Sequence, residues 1–142
     1  MTATAIPIKS ARQSPLEAYI DLTYDMLVTG TDLNAIQVPN AAVITGGDLV
    51  VDTALNSATS DVLSVGDSGT YNRYLSAQSI AATGRTALTL TGYKYTAPTW
   101  ITVRWVGVGA VPSQGALRVR ISYIVRGRQQ YNQGPDYVKR LS

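Results

Sequence analysis

The chain has 142 residues, the size of one domain, and 45% of them are hydrophobic, enough for a core of its own. Cysteine and histidine are both absent, which excludes disulfides, thiolate nucleophiles and every mechanism that needs an imidazole. Net charge is +3, but residues 1–70 hold eight acids against two bases (−6) and residues 71–142 one acid against ten bases (+9).

Residues 1–17 have no periodicity and carry Pro7 and Pro15, so they are expected to form an extended N-terminal arm. Met1–Lys9 lacks a basic head followed by a long apolar run, and no window approaches the roughly 18 apolar residues that cross a bilayer. The expectation is a protein with no membrane partner, made in the cytoplasm. A body over residues 18–126 opens with Tyr19–Met26, where Ile20, Leu22, Tyr24 and Met26 alternate with Asp21, Thr23 and Asp25 as in a half-buried strand. Further strands are expected at Ala35–Val38, Val43–Thr53, Val62–Val65, Arg73–Ala77, Ala87–Leu90, Trp100–Val106 and Ala116–Arg126.

Turn clusters separate them, and Gly46-Gly47 marks a bulge or bend inside the third. Ile101, Val103 and Trp105 alternate with Thr102 and Arg104; Leu117, Val119, Ile121, Tyr123 and Val125 alternate with Arg118, Arg120 and Ser122. No window sustains a helical stripe, and Leu75–Ala82 is the best place for a short helix or turn. About eight strands at this spacing predict an all-β fold, a single antiparallel β-sandwich of jelly-roll type. Residues 127–142 return to polar, irregular character and are expected to form a C-terminal tail.

The residues that carry chemistry point away from catalysis. Gly66-Asp67-Ser68-Gly69 is similar to the nucleophile segment of chymotrypsin-like proteases, but a serine needs a base, and the lysines lie in an arm, beside a turn and in a tail. A tight turn accounts for it. Asp48, Asp52, Asp61 and Asp67 gather around a polar loop without calcium-loop spacing, and solvated strand charges and turn caps account for them. Gly107-Val-Gly109 lacks a following helix, and Glu17 is the only glutamate, so neither a dinucleotide fingerprint nor a glycosidase pair is formed. Tyr93 and Tyr95 flank Lys94 before Trp100, a cluster that suits either a stacking platform or a core without phenylalanine. No cofactor and no metal are expected.

What remains is binding to protein. Arg118 and Arg120 share one strand face, Arg126 and Arg128 follow it, and Arg104 is expected nearby; such a group can dock on a partner's carboxylates or on Asp21 and Asp25 of another copy. Ile6, Ile8, Leu16, Tyr131 and Tyr137 offer apolar anchors in the two ends, and Arg12 adds a charge. The basic half alone does not argue for direct contact with nucleic acid.

Ala42–Thr53, Asn56–Asp61, Leu63–Asp67 and Arg73–Leu75, with Gly84–Thr86, Thr91-Gly92, Tyr95–Pro98 and Tyr123–Arg128, resemble a family of small virion structural proteins of tailed bacteriophages. The resemblance spans roughly residues 18–128. It implies a capsid decoration or cement role on the head surface, with the major capsid protein as partner and a homo-oligomer, a dimer or trimer, as the binding unit. A neck, tail or fibre-base component resembles it equally, and a carbohydrate-binding module on the virion is the alternative from another class.

Overall fold

The computed structural model describes residues 12–128. Eight strands run in chain order: β1 (Leu16–Thr23), β2 (Asp32–Val38), β3 (Ala42–Thr53), β4 (Ser60–Asp67), β5 (Leu75–Ser79), β6 (Gly84–Ala87), β7 (Thr99–Val108) and β8 (Ala116–Val125). They form two antiparallel four-stranded sheets, β1-β8-β3-β6 and β2-β7-β4-β5. First and last strands pair, then β2 with β7, β3 with β6 and β4 with β5: one long hairpin rolled up, an order compatible with a jelly roll.

Period-two alternation builds the core. Leu22, Ile44, Leu49, Val51, Leu117, Val119 and Ile121 point inward from one sheet. Val38, Leu63, Val65, Ile101, Val103 and Trp105 meet them from the other. The bulge expected near Gly46-Gly47 is present, with the β3–β8 register shifting between Ile44 and Gly46. A side chain on Gly47 would place its Cβ 2.4 Å from the Arg120 carbonyl, so the close approach of β8 requires glycine there.

Four sequence expectations shift, the first being that the strand expected at Ala87–Leu90 runs instead over Gly84–Ala87, where it pairs with β3. Alternation in β1 ends at Thr23, and Tyr24–Met26 form a 3₁₀ turn, because the chain must cross to the other sheet. Leu27 plugs the core there, while Met26 is exposed. The strand expected at Arg73–Ala77 begins at Leu75, since Asp67 draws the preceding residues into a turn. The segment Leu75–Ala82 contains a strand rather than a helix.

The two ends of the sandwich differ. One end carries the loops after β2, β4, β6 and β8 together with the start of β1; the other carries the loops after β1, β3, β5 and β7. Both chain ends therefore leave at the same end, and Gln13 ties them together. Its side-chain amide accepts from the Val125 N–H at 2.9 Å and donates to the carbonyls of Val125 at 2.7 Å and Arg128 at 3.1 Å.

Candidate interaction surfaces

The outer face of the β1-β8-β3-β6 sheet is a grid of polar side chains set by register. Glu17, Tyr19 and Asp21 of β1 stand opposite Ser122, Arg120 and Arg118 of β8, which in turn face Gly46, Asp48 and Val50 of β3. Arg120 donates to Glu17 at 3.0 Å and to Asp48 at 3.2 Å; Arg85 of β6 also donates to Asp48, at 2.7 Å. Ser122 completes the network by donating to Glu17 at 2.9 Å. Asp48 was expected on the solvent face with Asp52. Asp52 is exposed, but Asp48 is only 6% exposed, because β3 is flanked on both sides and arginine stems lie over it. Burial pushes the Asp48 carboxyl up, but hydrogen bonds and charge from Arg120 and Arg85 outweigh it and hold it below the ordinary carboxylate value.

Arg118 and Arg120 do share one face, yet they differ in use. Arg120 is committed within the chain. Arg118 lines a depression of about 350 Å³ with Tyr19, Asp21 and Arg120, and Tyr19 is 66% exposed. The expected five-arginine group divides further. Arg104 lies on β7, in the opposite sheet, where it pairs with Asp32 at 2.6 Å and stacks on Tyr71. Arg126 and Arg128 are exposed beyond β8, beside the segment that Gln13 anchors, and Arg12 is exposed at its start. Leu16 is the first residue of β1, half-buried opposite Tyr123, so it belongs to the sandwich rather than to an arm. Ile6, Ile8, Tyr131 and Tyr137 lie outside the described residues.

A buried cluster closes the end from which the termini leave. Asp67, at the end of β4, accepts from the Gly69 and Thr70 N–H groups, from Arg73 Nε at 2.5 Å and from the Tyr95 hydroxyl at 2.7 Å. Tyr95 and Tyr74 share a hydroxyl contact at 2.7 Å, and Tyr74 is 1% exposed. Burial raises Asp67, but hydrogen bonds from Arg73, Tyr95 and the Thr70 backbone lower it by more. Burial, reinforced by its hydrogen bonds with Tyr74 and Asp67, holds the Tyr95 phenol well above its usual value, so it stays a neutral donor. The Gly66–Gly69 motif is thus a turn capped by its own aspartate, and Ser68 is exposed.

At the far end of β4, Asp61 accepts from the Trp105 indole at 2.9 Å and from the Ser57 N–H at 2.9 Å. Asp48, Asp61 and Asp67 therefore do not converge: Asp67 caps its turn as expected, while Asp48 and Asp61 are buried on donors of their own rather than solvated. The aromatic platform is also partly spent: Arg73 covers Tyr93 at 3.9 Å and Arg104 covers Tyr71 at 3.8 Å, while Tyr95 is buried. One further surface is apolar. Met26, Val28, Val106, Val108 and Val111 are exposed toward the end opposite the termini. Val106 and Val108 stand on the phase of β7 opposite to Ile101, Val103 and Trp105, and the loop 24–31 lies beside this strand, where Gly30 N–H donates to the Trp105 carbonyl at 2.8 Å.

No family model matches the chain, and no curated protein does. Solved structures share its fold. A chain of the cyanophage Pam1 capsid asymmetric unit superposes with a TM-score of 0.67 at 23% identity, covering 87% of this chain and 94% of that one. A chain of the capsid of Ralstonia phage GP4 gives 0.62 at 18% identity, covering 88% and 93%. A chain of the acidic stable capsid of Helicobacter pylori bacteriophage KHP30 gives 0.58 at 18%, covering 79% and 92%.

Proposed function

We propose that the chain is a structural protein of a bacteriophage head, a decoration or cement protein that binds the outer surface of the shell and bridges its subunits. The observation that carries this reading is the near end-to-end likeness to chains from three phage capsid structures, each spanning little more than the shared sandwich. A body with its buried aspartates committed to structural donors, and no histidine to serve as base, fits binding better than catalysis. The partner is the major capsid protein, and the binding unit is a homo-oligomer.

Cement gains from repetition. A shell offers many identical junctions, and contacts that are weak singly become strong when one small protein engages several of them. Here both chain ends leave the sandwich at one place, tied by Gln13, so segments 1–11 and 129–142 start from a common point bearing Arg12, Arg126 and Arg128. That arrangement suits two anchors reaching onto neighbouring shell subunits, with Ile6, Ile8, Tyr131 and Tyr137 as apolar contacts.

The test is location: gold-labelled antibody fragments against this chain, on intact particles viewed by electron microscopy. Labels spread over the head support the reading. A single cluster at the neck or tail would reassign the protein to that structure. Intact particles without label, from preparations in which the chain is present by mass, would mean that it is not displayed on the outer surface.

A further inference from the structure

Apart from the exposed Asp52 of β3, the outer face of the β1-β8-β3-β6 sheet leaves one facing pair of charges outside its network. Glu17, Arg120, Asp48 and Arg85 satisfy one another in a continuous network. One row along, Asp21 of β1 stands in register with Arg118 of β8, and among the described residues neither makes an ion pair or a side-chain hydrogen bond. Tyr19 projects beside them into the depression that all three line with Arg120.

We infer that this face is a self-association surface, on which a second copy of the chain docks about a twofold axis lying between β1 and β8 and parallel to them. Such an axis exchanges the two strands while preserving position along them. Each β1 residue then faces, in the other copy, the residue it already neighbours in its own sheet. Asp21 meets the second copy's Arg118, and Tyr19 meets the second copy's Arg120.

Charge complementarity selects this occupant. The patch carries one unpaired charge of each sign on adjacent strands, so it is complementary to itself under that rotation. A partner surface of one sign would be attracted by one residue and repelled by the other. An exposed pair within one chain contributes little, so exchanging it costs little, whereas the same pair enclosed between two sheets is screened less. Tyrosine over guanidinium is a contact this sandwich already uses twice, at Arg73–Tyr93 and Arg104–Tyr71. β1 is also a sheet edge, which gives a second copy open access to the face.

This inference rests on the homo-oligomer part of the proposed function but is read without any particle, so either can fail while the other stands. The experiment is sedimentation equilibrium of the full chain at low and high salt. A dimer that weakens as salt rises is expected. Asp21→Arg and Arg118→Asp each set like charges face to face and should weaken association at least tenfold, roughly the scale of such a clash. Combining them reverses both signs and should restore the wild-type constant. Circular dichroism melts confirm that each variant is folded. A monomeric wild type, a trimer, single variants that associate normally, or a double variant without recovery would each overturn the assignment.

Discussion

Trp105 donates its indole N–H to the Asp61 carboxylate at 2.9 Å, joining β7 to the start of β4 inside the core. Asp61 is 1% exposed, and its other oxygen accepts the Ser57 N–H, so one buried carboxylate satisfies a side chain and a loop. Asp61→Ala removes both acceptors and strands two donors. The expected loss is about 2–4 kcal/mol, since each buried unsatisfied group costs about 1–3. Urea unfolding followed by tryptophan fluorescence measures it. A loss below about 1 kcal/mol would show that water replaces the carboxylate.

Acid should unfold the protein through Asp48 and Asp67. Both carboxyls are held below their ordinary value in the folded chain, as their hydrogen bonds to arginines and other donors outweigh burial. A lowered folded value means that their contribution is complete above the unfolded pKa of about 3.9 and is lost as pH falls through the folded one. With no histidine in the chain, no side chain of ordinary pKa titrates near pH 6.5. The melting temperature should therefore be flat from about pH 8 to pH 5 and fall below about pH 4. Asp67→Asn should lower it at neutral pH and make the acid slope shallower. A pronounced drop between pH 8 and pH 5 would contradict this account.

Arg118 and Arg120 occupy equivalent positions on one strand but should behave as opposites in a stability assay. Arg120→Ser strips Glu17 and Asp48 of a shared donor and leaves the buried Asp48 dependent on Arg85 alone. A cost of about 1–3 kcal/mol is expected, the range for hydrogen bonds to charged groups. Arg118→Ser breaks no ion pair and should stay within about 0.5 kcal/mol at dilute concentration. Thermal denaturation of the two variants side by side decides it, and equal losses would mean that the network does not discriminate between them.

That contrast marks where sequence reading reached its limit. Alternation alone placed Ile101, Val103 and Trp105, and likewise Leu117, Val119 and Ile121, on inward faces, because strands packed on one side carry their burial in a period of two. It put both arginines on one outward face but could not separate them, since their roles depend on which residues of β1 and β3 lie opposite. β6 was displaced for a related reason: Gly84–Ala87 has no apolar alternation, and its pairing with β3 defines it. One signal was present but passed over. Asp61, Leu63, Val65 and Asp67 share one phase of β4, so two carboxylates stood on the buried face beside Leu63 and Val65. The turn-cap reading fits Asp67, but reading Asp61 as a solvated charge follows residue type where periodicity already points inward.

The anchoring of the chain ends sets the last prediction. Gln13 makes three hydrogen bonds to the end of β8, and Leu16 is the first residue of β1, so a deletion reaching residue 16 would damage the sandwich as well as any arm. A cut after residue 11 spares both. The shortened chain should melt like the full one, yet bind particles that lack the protein about tenfold or more weakly, as expected when one of several linked contacts is lost. Gln13→Ala is the complementary variant: it keeps every arm residue, frees the clamp, and should cost about 1 kcal/mol of stability for its partly exposed bonds. Co-sedimentation with particles and thermal melts read the two effects separately. If removing residues 1–11 leaves particle binding unchanged, the N-terminal segment takes no part in attachment. The contact would then have to come from the sandwich faces or from the segment beyond Arg128.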